Sequence, residues 1–365
     1  MVRSKYFDNY IFLAFSLLVI VGFVFIYSAT FTYTPADPFY YVKRHFIALF
    51  IAIFAGLFGY LMPMDFWKKW AYAFFGFGIV LLILVYFLPG DSTGTHRWIN
   101  LGFFKFQPSE YIKFATVLFI AKYLSRKEDI LKTLEPFIVI FGVVFFTAVL
   151  IAFEPHKGAA LFLLILTTLI LFSSRANVKP LLIFIPFIIA FGTLIILTSN
   201  YAKSRLIGML NPDPSTKEGY QAFQSLVAFV KGGPFGEGIG SGTQKLKYLP
   251  EIHTDYIFAL IGEEAGIFGT FFVLALYIII LIRGIQISLS KDDIFVQTLG
   301  LGITYIITLN ALFHIFVTLN LFPSTGFTLP FISYGGSSLI MNFLYIGILL
   351  RISKEPNKIN FVQRA

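Results

Sequence analysis

No cysteine occurs among the 365 residues. Disulfides, a thiolate nucleophile and cysteine metal ligands are therefore excluded. Charge is scarce: 13% of residues are Asp, Glu, Lys or Arg, against about a quarter in soluble chains. No polar block is long enough to fold as a separate soluble domain. Phosphate-loop, HExxH and EF-hand patterns are missing, and no short-period repeat is visible. Acidic residues number 19 against 28 basic ones, a net charge of +9. In so apolar a chain that excess reads as lysines and arginines anchoring loops on one side of a membrane. No nucleic-acid partner is expected.

What the chain has in quantity is hydrophobic residues, 57% of the total. They fall in runs at Tyr10–Ser28, His45–Met62, Trp70–Leu88, Pro108–Leu124, Pro136–Phe153, Gly158–Phe172, Pro180–Leu197, Tyr256–Ile282, Ile294–Leu319 and Tyr334–Ile352. A span needs about 20 apolar residues, less exact where helices tilt. The expected fold is an all-α integral membrane protein of about ten transmembrane helices, a single polytopic unit over residues 1–365. The first run is too long for a signal-peptide core and lacks a clear cleavage site, so it reads as a retained span. With the N-terminus inside, Arg3, Lys5, Lys68, Lys69, Lys122, Arg126, Arg283 and Arg351 share the cytoplasmic side. Both termini are then cytoplasmic, and the long loop Thr198–Thr254 between the seventh and eighth helices is extracytoplasmic. Loops of that length are commonly functional. Within it, Gly219–Gly233 has helical spacing and suits a short amphipathic helix in the membrane surface. The segment PFGEGIGSGTQK follows no strand, so its glycines do not make a dinucleotide loop.

Three polar clusters interrupt the oil. The first is KLKYLPEIHTDYIFALIGEEAG, Lys245–Gly266. Thr254 can cap the following helix and place Asp255 in its first turn, where the positive helix end favours a carboxylate. Asp255 is then either a capping acid or a functional one. Ala259, Gly262 and Gly266 share its face, as a close helix contact or as a groove for a lipid tail. Glu263 lies about 12 Å deeper, and Glu264 is on the opposite face. Intramembrane acids are functional candidates or members of structural pairs. The second cluster is THRWINLGFFKFQPSEYIKF, Thr95–Phe114. Pro108 suits a first helical turn, which makes Glu110 and Lys113 neighbours able to pair. Such a pair either serves function or only holds helices together. The third, STGFTLPFISYGGSSL at Ser324–Leu339, offers backbone N–H groups and hydroxyls that could meet phosphate, or a tight packed turn.

In their order along the chain, HRWI, QPSEYIK, GYQAFQSLVAFVKGGPFGEGIGSGTQK, LPEIHTDYIF and LPFISYGGSS resemble the SEDS family (shape, elongation, division and sporulation proteins). The resemblance covers essentially the whole chain and is closer to the division branch than to the elongation branch. It implies a peptidoglycan glycosyltransferase of the bacterial cytoplasmic (inner) membrane. Such an enzyme polymerises lipid II at the outer face beside a class B penicillin-binding protein and other divisome or elongasome proteins. The family's catalytic aspartate corresponds to Asp255. One stretch departs: EPHKGAA stands where the family shows Glu/Gln-Pro-Asp-x-Gly-Thr. His156 replaces the acid there, Lys157 an apolar residue and Ala159 the threonine. A divalent cation, Mg or Mn, is the cofactor to consider, and that acid's part in holding it is in question here.

Asp255 is thus the candidate general base. Arg97, Lys245, His253, Glu251, Gln244 and Ser337 are candidates for holding the substrate, with Glu110 and Lys113 as an ion pair. The rival class is a flippase for a lipid-linked precursor, or another secondary transporter. Glu110, Lys113, Glu263 and Glu264 would then be coupling groups. A scaffold without chemistry is the third reading.

Overall fold

The computed structural model describes residues 7–31, 37, 39–88, 97–100, 105–126, 134–154, 157–174, 181–246 and 248–357. Among them are twelve helices: α1 Asn9–Thr30, α2 Tyr40–Leu61, α3 Met64–Phe87, α4 Pro108–Leu124, α5 Glu135–Phe153, α6 Lys157–Ser173, α7 Leu181–Thr198, α8 Asn200–Leu210, α9 Lys217–Gly232, α10 Ile257–Leu289, α11 Ile294–Thr318 and α12 Gly336–Ser353. A two-residue antiparallel pair, β1 Ile99–Asn100 and β2 Lys105–Phe106, precedes α4. Seven helices are long and apolar enough to cross a membrane, or eight if the bent pair α7–α8 counts as one span. The chain is a multi-pass membrane protein. The apolar runs lie close to the helices observed. The main differences are α3, which starts at Met64 directly after Pro63 as its N-cap, and α10, which runs on to Leu289.

Burial sorts the helices into layers. Nearly every residue of α4 is enclosed, and α11 and α12 are mostly so. Outward faces of α2 and α3 carry exposed Phe46, Phe50, Phe54, Leu57, Phe77 and Val80, as expected where the solvent is hydrocarbon. The central position of α4 explains the charges it carries. Lys113 Nζ lies 2.7 Å from Glu110 Oε1 and 3.3 Å from Asn310 Oδ1 of α11. The ammonium also sits 4.9 Å from the centroid of the Phe162 ring. Pro108 and the i, i+3 spacing make this pair locally, and α11 and α6 enclose it.

A buried pair that loses one member leaves an uncompensated charge, a loss of about 3–5 kcal/mol. Glu110→Gln and Lys113→Met should each lower the thermal unfolding midpoint in detergent more than the double substitution does. Additive effects in that cycle would mean the two side chains do not interact.

The break in α10 organises the region around the first polar cluster. Gly266 has φ +66 in the middle of the helix. A Cβ there would lie 2.4 Å from Gly236 N and 2.5 Å from Pro234 O, so only glycine fits. The loop 233–238 enters the break and satisfies the backbone groups that the helix gives up. Glu237 N and Gly238 N donate to Glu263 O and Glu264 O, and Ile267 N and Phe268 N donate to Gly233 O and Pro234 O. Gly262 is equally tight against Phe229 of α9. The small-residue face below Asp255 is therefore a close packing surface and not a lipid groove.

The long loop contains α8 and α9. The amphipathic helix expected at Gly219–Gly233 is α9, but its small face packs on protein. Ser225 Oγ donates to Thr318 O at 2.6 Å, and Gly232 meets the Gly262 carbonyl. α8 leaves α7 at a bend of 99°, begun by the Ser199 cap on Ala202 N, and its end is held by Asn320 Nδ2 donating to Met209 O at 2.9 Å.

Candidate active site

Asp255 does not sit in the first turn of α10. The helix starts at Ile257 with Tyr256 as its N-cap and no side-chain cap bond. The hydroxyl of Thr254 turns back to Glu251 O instead. A tight turn made by Glu251 in the left-handed region, φ 55, receives both Thr254 N and Asp255 N on the Glu251 carbonyl. A non-glycine residue in that region is uncommon and strained, which fits a position fixed by its surroundings. Ser333 Oγ donates to Thr254 O, and Tyr334 N donates to His253 O. The third polar cluster thus clamps the first.

The turn presents Asp255 to a cavity of about 200 Å³ lined by Tyr201, Arg205, Lys217, Glu218, Gln221, Glu251, Tyr256 and Ser324. Gly326 lies against it: a Cβ there would be 3.7 Å from Asp255 Oδ2. Burial raises the carboxyl to about 6, against the nearby Arg205 guanidinium, which lowers it. Glu251 adds to the rise, while Thr254 and Arg97 oppose it.

A second cavity of about 390 Å³ adjoins the first and shares Tyr201, Arg205 and Ser324 with it. Its walls are apolar, from Leu161, Phe162, Ile195, Leu206, Phe313 and Phe327, and its cations are Arg97, Lys157 and Arg205. Arg205 stands between the two spaces. Its guanidinium donates to Ser324 O and lies 4.2 Å from the centroid of the Tyr201 ring. The two cavities are neighbours, one oily with cationic groups and the other holding a carboxylate. That arrangement suits an amphiphile whose polar part carries negative charge.

The sequence candidates divide. Asp255 and Glu251 line the acid's cavity, and Arg97 lines the groove. Lys245 lines neither: it is buried, with Nζ 2.7 Å from Glu264 Oε1 and 3.0 Å from Ser28 Oγ. Gln244 is buried beside it, its N–H donating to Glu263. Glu264 also accepts from Gly240 N and Gly242 N, and Glu263 from Thr243 N and Oγ1. Both intramembrane glutamates therefore hold the glycine-rich loop in place. His253 packs edge-on against Tyr41 at 4.9 Å, and burial lowers its pKa, against Glu251, which raises it. Ser337 Oγ donates to Lys105 O and accepts from Gln107 N, which fixes β2 to the start of α12. These four serve the frame around the cavity; Ser324, not Ser337, lines it.

Sequence reasoning passed over Arg205 and Tyr201. Their signal was a basic, aromatic stretch, NYAKSRLIGML, directly after the seventh apolar run. It also passed over Glu154, fully buried just past α5. Burial pushes that carboxyl up to about 8, and Arg97 opposes the rise. Pro155 and His156 lie outside the described residues. Among the described residues no three His, Asp or Glu side chains converge as metal ligands. The described side chains do not make a carboxylate-built cation site.

A family model described as "Cell cycle protein", covering FtsW, RodA and SpoVE, matches residues 8–358. An FtsW protein of Geobacter sp. (strain M18), named a probable peptidoglycan glycosyltransferase, is 36% identical over 96% of this chain and 98% of its own. Stage V sporulation protein E of Bacillus subtilis (strain 168) is 35% identical over 93% and 94%. One solved chain comes from work on polymerization and crosslinking by a peptidoglycan synthase complex. It superposes with a TM-score of 0.79 at 23% identity, covering 96% of this chain and 98% of that one. The rod shape determining protein RodA of Thermus thermophilus superposes at 0.70 with 23% identity, covering 95% and 96%. At those identities the two structures show a shared fold.

Proposed function

This chain belongs to the FtsW, RodA and SpoVE family, and from that membership we propose that it is a peptidoglycan glycosyltransferase that polymerises lipid II. The observation that carries the reading is that the apolar cavity and the Asp255 cavity are neighbours, with Tyr201, Arg205 and Ser324 lining both. A polyprenyl chain takes the oily walls, its diphosphate meets Arg205 and Arg97, and the sugars reach Asp255. The Asp255 carboxylate takes the proton of an acceptor 4-hydroxyl. The hydroxyl oxygen bonds to the donor's anomeric carbon, and the carbon–oxygen bond to phosphate breaks. The bonding pair leaves with the polyprenyl diphosphate, whose charge the guanidinium groups offset. A carboxyl near 6 suits a general base at neutral pH: it is mostly ionised yet keeps some basicity.

The same reading sets the chain in the bacterial cytoplasmic membrane with ten spans and both termini inside. The 198–254 segment then faces out, and the whole chain works as one unit beside a class B penicillin-binding protein of the division or elongation machinery. Basic residues on α3, α10 and α12 support that orientation. The natural absence of cysteine makes a clean test. Val230→Cys, on an exposed α9 position, should react with an impermeant thiol reagent in intact cells, and Leu134→Cys, exposed before α5, should not. The reverse pattern would invert the topology.

The activity itself is tested with purified protein and labelled lipid II, with and without a class B penicillin-binding protein. Glycan polymer is the expected product. Movement of lipid II across vesicles with no polymer under either condition would make the chain a transporter.

A further inference from the structure

A separate crevice lies near the chain termini, between α1 and the α2–α12 pair. Glycines create it. Gly347 and Gly56 bring α2 and α12 together so closely that a Cβ at Gly347 would lie 2.0 Å from Gly56 O. α1 is held elsewhere: at Gly22 against the Phe331 carbonyl, and at its start, where Asp8 N donates to Ser353 Oγ. Between those fixed points the first helix stands off and leaves about 350 Å³. The lining is eleven residues, with Phe12, Phe15, Ile53, Leu57, Tyr60 and Phe343 its main walls. Phe15 closes the inner end against Phe343 at 4.9 Å and Phe331 at 5.2 Å. From Tyr60 back to Ile53 the crevice is about 10 Å deep at 1.5 Å per residue.

Water does not settle in a space without polar partners, and an empty one would forfeit its dispersion contacts. A helix is about 10–12 Å across with its side chains, too wide to enter. A single hydrocarbon chain fits. The rim adds a charge. Lys354 is not itself in the lining, but its Nζ lies 4.9 Å from the centroid of the Tyr60 ring, which is, and it pairs with no carboxylate among the described residues. Its neighbours are committed: Arg351 to Glu355 and Arg283 to Asp8.

We infer that this crevice binds one anionic phospholipid, with an acyl chain between α1, α2 and α12 and its phosphate at Lys354. The site is remote from Asp255 and independent of the glycosyltransferase reading. One cation at a membrane surface favours an anionic headgroup by about fivefold.

The test is native mass spectrometry of the full chain released from nanodiscs of equal phosphatidylglycerol and phosphatidylcholine. The wild type should retain one phosphatidylglycerol about fivefold over phosphatidylcholine. Lys354→Gln should retain a lipid without that preference. Leu57→Trp fills the crevice from an exposed α2 position and should retain none while remaining monodisperse. Ile53→Trp fills it from the deeper side and replaces Leu57→Trp if that variant fails to fold. Equal retention of both lipids by the wild type, or phosphatidylglycerol retained undiminished by a folded tryptophan variant, would overturn the site.

Discussion

Asp255→Asn protein should fold, insert and form less than about a hundredth of the wild-type polymer from labelled lipid II. Asparagine keeps the size and polarity of the side chain. The turn that presents it is made by backbone groups of Glu251 and by Ser333, not by the carboxylate. What the substitution removes is an anionic proton acceptor beside the groove. Lipid II binding should persist, because the walls and Arg97 and Arg205 remain. The wild type should show the matching pH dependence. A base works when deprotonated, so activity should fall as pH drops through about 6, the position to which burial raises the carboxyl. Near wild-type polymer from folded Asp255→Asn protein would remove the acid from the mechanism.

Arg205→Ala should lower polymerisation by about a hundredfold to a thousandfold, the range for losing a preorganised electrostatic donor. This residue touches both cavities, and its charge is the largest influence holding down the Asp255 carboxyl. Its removal therefore carries a second signature. The acidic limb of the pH profile should move upward, since less positive charge favours the protonated acid. Arg205→Lys should recover part of the pH shift but less of the rate, because an ammonium cannot reproduce the planar fork that meets Ser324 O and stacks on Tyr201. A loss of rate with an unmoved profile would assign Arg205 to the groove alone. An unchanged rate would place the diphosphate elsewhere.

Much of this molecule is written locally. Low charge and repeated apolar runs suffice for a multi-pass helical protein, because a lipid solvent demands internally bonded helices. Pro108, Glu110 and Lys113 are a local signature as well: an entry proline and an i, i+3 pair lie within the first two turns. Asp255 was visible as an acid at the mouth of an apolar run. Its exact seat was misread, since capping preference places Thr254 at the helix start. The turn instead answers to Ser333 and Tyr334 from 79 and 81 residues away, as Ser333 holds the Thr254 carbonyl and Tyr334 that of His253.

The cations show the same division more sharply. Lys245 and Arg205 read alike in the sequence, each a basic residue in a long polar loop. Lys245 finds Glu264 and Ser28, 19 and 217 residues distant, and is buried as a structural pair. Arg205 finds Ser324, 119 residues distant, and faces the groove. Helical periodicity reports which face of one segment is apolar, and so the membrane class and the ion pair in α4 were legible from local sequence. Which charges converge on a cavity depends on where distant segments meet, here through the break at Gly266 and the bend between α7 and α8. That came from long-range packing, because a charge takes whichever opposite partner is brought within a few ångströms, whatever the separation along the chain.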